Sequence, residues 1–301
     1  MTRVLPHSTT DAEAWDRIWG QRLTSLQPGD PSLSLVEAWW LRELRQLGRL
    51  ERVLEIGAGA AALVARLVVQ HFPGTPVIAS DYRALPGTLD QRIVAISNAP
   101  IEVLPFPDAC IDMLASQFAF EYADRARAVG EVARVLRPGG VARMLLHHPG
   151  SFFSRKLVHR LRTLQATVTL ERVVADATLA SAARQVRLRQ AQAKLHELQR
   201  AQAAGPAIPE VLADLADFNA LAQRLLDSPL MPPATEDLQL LAQCAPALQL
   251  TRLQMRAAIT ADALRTLEQR FGASGCVAAH DILTDAQQQP LAWILRLRRV
   301  R

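Results

Sequence analysis

Hydrophobic positions along this 301-residue chain recur first at helical spacing, then in short apolar runs, then at helical spacing again. Trp15, Ile18 and Trp19 sit about one turn apart behind Asp11, whose side chain suits the N-cap of a helix. A second helix is predicted from Ser34 to Leu47, with Leu35, Ala38, Trp39, Leu41 and Leu44 near one face and Gly48 as its stop. Strands are predicted over 52–56, 76–80, within 109–116 and over 141–147, while 92–96 fits a strand or a helix end. Helices are predicted between them over 60–70 and 126–136. Strands that alternate with helices imply a parallel sheet covered on both faces.

The rhythm changes after Pro149-Gly150. Residues 151–204 are helical in character, rich in Gln, Ala and Arg and poor in Gly and Pro. Leu188 and Leu195 are one heptad apart, as are Ala191 and Leu198, which predicts a narrow seam for an antiparallel helix. Gln202 stands at the next heptad position and is expected to end the seam. Gly205-Pro206 breaks the stretch, and further helix with Glu210, Asp217 and Asp227 reaches Pro232-Pro233. The tail is predicted as helix over 236–244, strand over 248–257, helix over 261–271 and strand over 291–297. The expected organisation is a helical cap over 1–50, a sheet core over 51–150, a helical insertion over 151–232 and a return to the core over 233–301.

Charge and cysteine usage narrow the function classes only a little. The net charge of +5 is modest, but residues 151–204 hold ten Lys or Arg against three Asp or Glu. The insertion therefore carries more than the whole chain's excess, which permits an anionic partner without demanding one. Cys110, Cys244 and Cys276 lie far apart and odd in number, so neither a metal nor a disulfide framework is expected. With no basic start leading into an apolar run, and no bilayer-length apolar stretch, the expected location is cytoplasmic, without a membrane.

The candidate chemistry begins at Glu55-Ile56-Gly57-Ala58-Gly59, a strand running into a glycine turn and then a helix. Glycines there let the backbone take positive φ and come close to a ligand, and the helix start adds free amides. A dinucleotide loop would place a third glycine where Ala62 stands. Asp81 ends the next strand, where a carboxylate accepts from both hydroxyls of a ribose. Leu104-Pro105-Phe106-Pro107-Asp108, Ile111-Asp112-Met113-Leu114 and Arg134-Val135-Leu136-Arg137-Pro138-Gly139-Gly140 follow in order.

This series resembles the class I S-adenosylmethionine methyltransferases. Within them it is similar to the group that includes the ubiquinone and menaquinone C-methyltransferases. The resemblance covers 51–149 strongly, is architectural over 233–301, and is absent over 151–232. It implies a Rossmann-like α/β fold, a doubly wound, mostly parallel seven-stranded sheet with N-terminal helices and a helical insertion after the fifth strand. It also implies S-adenosyl-L-methionine as cofactor. Gly57, Ala58 and Gly59 would lie under its methionine part, Glu55 would orient that turn, and Asp81 would hold the ribose. Tyr82 would flank the adenine, Asn98 or Glu102 would meet its amine beside Ile101, and Ser116 and Gln117 would stand towards the methyl.

On the acceptor side, the resemblance points to Phe118, Glu121 and Tyr122 as substrate-facing. His147 and His148 end the next strand, and neutral imidazole is a good base near neutral pH. Adjacent residues of a strand face opposite ways, so at most one of the two looks into the pocket. Tyr122 joins them as a catalytic candidate, and all three have structural alternatives as packing residues. Ser116-Gln117-Phe118-Ala119 departs from the Asn/Asp-Pro-Pro-aromatic loop of adenine and glutamine amino-methylation, and Cys110 is misplaced for cytosine C5 chemistry. The expected function is methylation of a small molecule. RNA or protein methylation through the basic insertion, and non-catalytic binding of S-adenosylmethionine in a regulatory role, are the alternatives. No recognised RNA-binding motif supports a nucleic-acid partner. The insertion reads equally as a substrate cap or as a homodimer contact or solvated helical appendage.

Overall fold

The computed structural model describes residues 31–176, 178–204, 208–228 and 232–300. The expected Asp11-capped helix with Trp15 and Trp19, and the Gly205-Pro206 break, lie outside the described residues. The chain divides into two compact units, one built from residues up to Ser154 together with Arg256 onward, the other from Arg155 to Met255.

The first unit holds α1 (Pro31–Leu47), β1 (Val53–Ile56), α2 (Leu63–His71), β2 (Val77–Ser80), β3 (Ile93–Ile96) and β4 (Ile111–Gln117). A short 3-10 turn (Phe120–Tyr122), α3 (Arg125–Val135) and β5 (Leu136–His147) follow. After the second unit come α8 (Ala261–Ala273), β6 (Cys276–Thr284) and β7 (Pro290–Arg299). The seven strands are ordered β3-β2-β1-β4-β5-β7-β6. The first five are parallel, and β7 and β6 join antiparallel. This is the doubly wound, mostly parallel sheet that the alternation of elements predicts. Val53 of β1 packs into one core with α1 and α2, while Leu54 and Ile56 pack into the other with α3 and α8.

Local chemistry fixes the joints. Gly48 takes φ 71° just past the end of α1. The Asp124 carboxylate caps α3 by accepting from the amides of Ala126 and Arg127. Leu104 to Asp108 is a structural clamp. The Arg134 guanidinium donates to the carbonyls of Phe106 and Leu104 at 2.7 and 3.0 Å, and pairs with Glu131 and Asp108. Arg137 to Gly140 does not precede β5 but forms a bulged start within it, where a Cβ on Gly140 would lie 2.8 Å from the Arg137 carbonyl oxygen.

Four further expectations about the elements need correction. The buried face of α1 is Val36, Trp39, Trp40, Glu43 and Leu44, while Leu35 and Ala38 are exposed. The face turned because Glu43 is drawn inward by Arg143 of β5 and Arg296 of β7, at 2.8 and 2.7 Å. Residues 248–257 are helix, not strand. Leu241, Cys244, Leu248 and Thr251 are buried at three- and four-residue spacing, with the Thr251 hydroxyl donating to the Ala247 carbonyl. Third, the missing strand is β6, an edge strand whose middle reads His280-Asp281 and whose exposed side hides any alternation. Fourth, the insertion does not end at 232, because helix continues to Ala257 and the second unit runs to Met255.

The second unit holds most of α4 (Phe152–Ala175), all of α5 (Ser181–Ala203) and α6 (Pro209–Asp227), and most of α7 (Thr235–Ala257). Hydrogen bonds Gln192–Gln223 and Gln199–Asn219 run in opposite chain directions, so α5 and α6 form an antiparallel hairpin. Of the predicted seam, Leu188, Ala191 and Leu195 are buried and Leu198 only half-buried, and the buried face includes Gln202 instead of ending before it. None of the helices among the described residues is long and apolar enough to cross a membrane.

Candidate active site

The carboxyl ends of β2, β1, β4 and β5 lie side by side along one edge of the sheet, the edge where open parallel sheets hold ligands. After β1 the chain turns through Gly57 and Gly59 at φ 60° and 63°. A Cβ on Gly57 would fall 2.3 Å from the Cβ of Ala119, so this glycine lets the β1 and β4 loops meet. Glu55 is buried in β1 and turns towards α2, accepting from the amides of Val64 and Ala65 at 3.2 and 2.8 Å. Burial pushes its carboxyl up to about 7, against the pull of those amides. It therefore holds the helix start that follows the loop.

Asp81 is the buried acid at the end of β2. Its carboxylate accepts from the amides of Gly59 at 3.1 Å on one oxygen and Arg83 at 2.8 Å on the other, with the Tyr82 amide beside them. Burial pushes it up to about 6, with the amides opposing. A cleft opens beside it, lined by Gly57, Asp81, Tyr82, Ile101, Glu102, Phe118 and Tyr122 among the predicted residues. Arg83, Pro100, Ala119 and Ala123 complete the lining and were not foreseen. Only the small Ala119 between Phe118 and Phe120 hinted at a close approach.

Other predicted residues stand elsewhere. The Ala58 amide donates to the Ser80 carbonyl. Asn98 is exposed at φ 57° and does not line the cleft, so the chain offers Ile101 and Glu102 there instead. Glu102 also accepts from the Asp124 amide at 2.7 Å. The Ser116 hydroxyl accepts from the Phe120 amide, and the Gln117 side-chain oxygen accepts from the Trp40 indole at 2.7 Å. Both fix the turn after β4.

The two histidines diverge, as neighbours on a strand must. His148 packs on Trp293, and its Nδ1 accepts from the Gly150 amide at 2.9 Å. Burial lowers its basicity. His147 is buried on the other side, with its ring 4.7 Å from Phe118 and 5.9 Å from Tyr122. The Glu121 carboxylate lies 2.6 Å from its Nδ1 and accepts from its backbone amide at 2.8 Å. Tyr122 is pushed well above the ordinary phenol range by burial and by the Glu121 charge, which disfavours its phenolate. Phe118 holds φ 52°, a left-handed conformation uncommon for a bulky residue.

Residues 54–144 match the methyltransferase domain family. An uncharacterized methyltransferase of Mycobacterium bovis is 34% identical over 127 residues, which are 40% of this chain and 49% of that protein. The 27-O-demethylrifamycin SV methyltransferase of Amycolatopsis mediterranei is 30% identical over 143 residues, 43% of this chain and 52% of its own. The demethylmenaquinone methyltransferase of Thermus thermophilus is 30% identical over 119 residues, 37% of this chain and 54% of its own. The chain thus spans about half the length of the curated relatives it matches. The part that matches contains the glycine turn, Asp81 and the clamp around Arg134.

Proposed function

We propose that this chain, whose residues 54–144 carry a methyltransferase domain, uses it to move a methyl group from S-adenosylmethionine to a small molecule. The observation that carries the reading is Asp81. Its carboxylate lines the cleft, held by the backbone amides of Gly59, Arg83 and Tyr82, and its two oxygens are acceptors. A ribose diol offers two donors to match. Gly57 faces the same cleft with no room for a side chain, which leaves bare backbone for the methionine part. Tyr82 and Ile101 supply flat and apolar surface for the base.

When bound, the cofactor supplies an electrophilic methyl on a sulfonium that leaves as a neutral thioether. The chain's own task is positioning and exclusion of water. In this reading Asp81 just after β2 and the glycine turn after β1 take the cofactor, and Phe118 and Tyr122 after β4 take the acceptor. The two named relatives act, by their names, on a rifamycin and on a demethylmenaquinone, which supports a small-molecule acceptor. The similarity to quinone C-methyltransferases belongs to the same proposal.

Calorimetry with S-adenosylhomocysteine tests it. Wild type should bind, and Asp81→Asn should bind roughly 10- to 100-fold more weakly, since one charge-assisted hydrogen bond is worth about 1.5–3 kcal/mol. Absence of wild-type binding, or unchanged affinity in the variant, would overturn the cofactor assignment.

A further inference from the structure

We propose that His147, oriented by Glu121, takes the proton from a hydroxyl group of the acceptor, and that the acceptor is a flat apolar hydroxyl compound of the phenol type. The inference rests on the methyltransferase reading above and names the substrate class for the same site.

Hydrogen-bond bookkeeping gives the tautomer. One Glu121 oxygen accepts from the His147 backbone amide at 2.8 Å and stands 2.6 Å from His147 Nδ1. An ionised carboxylate only accepts, so Nδ1 must carry the ring proton. In that neutral tautomer the ring's lone pair is on Nε2. The Glu121 side chain is fully buried, and its second oxygen has no hydrogen-bond partner among the described residues. A carboxylate so placed gains when the ring beside it becomes an imidazolium. The arrangement is that of a base held by an acid in one tautomer and one orientation.

The surroundings choose the acceptor. The imidazole does not itself line the cleft but stands directly behind Phe118 and Tyr122, the two aromatic rings that do so at its β4 end. Phe118 is kept there in a left-handed backbone conformation, tied by its amide to the Leu145 carbonyl at 2.8 Å. Such walls suit a flat apolar body. A neutral amine can attack a sulfonium methyl with its own lone pair and needs no base first. A neutral hydroxyl is a poor nucleophile until its proton leaves. His147 Nε2 takes that proton, the oxygen forms a bond to the methyl carbon, and the carbon–sulfur pair remains on sulfur. The imidazolium then returns its proton to solvent. Tyr122 does not serve as the base, because burial and Glu121 both oppose its ionisation. His148 does not either, because its Nδ1 is occupied by Gly150 and its ring lies on Trp293.

The test uses the full chain, the methyl donor and two probes, phenol and 4-nitrophenol, at pH 8. Phenol is protonated there and needs a base, whereas 4-nitrophenol is already ionised. His147→Gln should lower transfer to phenol by roughly 100- to 10,000-fold, the range for loss of a general base. Transfer to 4-nitrophenol should stay within about tenfold. Glu121→Gln, which keeps the oxygen but removes the charge, should fall between. Nitrogen-15 NMR of labelled histidine should show His147 as the Nδ1–H tautomer, with its Nε2 signal moving when phenol is added beside S-adenosylhomocysteine. Equal losses on both phenols, with S-adenosylhomocysteine binding retained, would make the pair merely structural and overturn the proposal. So would an Nε2–H tautomer, or a wild type that binds S-adenosylhomocysteine yet methylates neither phenol. A wild type that fails to bind S-adenosylhomocysteine would instead overturn the cofactor reading beneath it.

Discussion

Gly57→Ala is the sharpest perturbation of the loop, because two separate costs can be assigned to it. The residue sits at φ 60°, where an L side chain costs about 1–2 kcal/mol. The new methyl would also lie 2.3 Å from the Cβ of Ala119, whereas carbon atoms rest about 3.5–4.0 Å apart. One loop must retreat by more than about 1 Å, and overpacking of this kind costs roughly 1–3 kcal/mol. The single variant should therefore lose about 3 kcal/mol. Removing the obstacle separates the costs. In Gly57→Ala/Ala119→Gly the nearest remaining atom is the residue-119 Cα at 3.6 Å, an ordinary contact. The double variant should keep only the backbone penalty, giving a favourable coupling energy of about 1–2 kcal/mol. Urea unfolding followed by tryptophan fluorescence reads the first unit through Trp39, Trp40 and Trp293, which are buried in it. Calorimetry with S-adenosylhomocysteine should show the same partial recovery. A coupling energy of zero would refute the steric account of this glycine.

Two buried carboxylates should give opposite pH signatures. Glu55 is raised to about 7, so its folded form holds a proton that the unfolded chain has released. Its contribution is full below about pH 4.5 and is lost as pH rises towards 7, and Glu55→Gln should flatten that slope in unfolding measurements. Glu43 feels burial pushing it up, but Arg296 and Arg143 outweigh this and hold it below the usual range. Its contribution is present above the ordinary carboxylate range and is lost as acid carries pH through the lowered value. Glu43→Ala strands Arg143, whose side chain is 13% exposed, and should cost about 3–5 kcal/mol by the same fluorescence assay. A loss below about 1 kcal/mol would show that the pair contributes little.

The layered sheet was legible because its strands are short, apolar and punctuated by Gly and Pro, and because buried parallel strands need little else. The acid at the end of β2 was legible for the same reason. What stayed hidden depends on distant partners. Nothing local to α1 says that Glu43 points inward, because Arg143 and Arg296 lie 100 and 253 residues away. Thr251 among the leucines of 248–257 disguised a helical period as alternation, and only its back-bond to Ala247 shows why helix tolerates it there. Edge strand β6 needs one apolar contact face at most, so its polar middle gave no periodic signal. Within the site, Glu121 was readable as a neighbour of the acceptor pocket, but its hold on His147 spans 26 residues and exists only in the fold.

The order of the strands also has a consequence for synthesis. β7 enters between β5 and β6, yet it is made only after the roughly hundred residues of the second unit. Counting α8 and β6 as well, β7 is complete only about 150 residues after His147, so at about 5–20 residues per second β5 waits roughly 7–30 s on the ribosome with one edge unpaired. That edge is Leu145-Leu146-His147 and its neighbours, a template for any other extended chain. A chain ended at Met255 should therefore self-associate through β5, and sedimentation of that truncation as a monomer would show otherwise. The helical hairpin between the two halves of the sheet thus acts as a delay in the birth of the protein, and the last fifty residues are what close it.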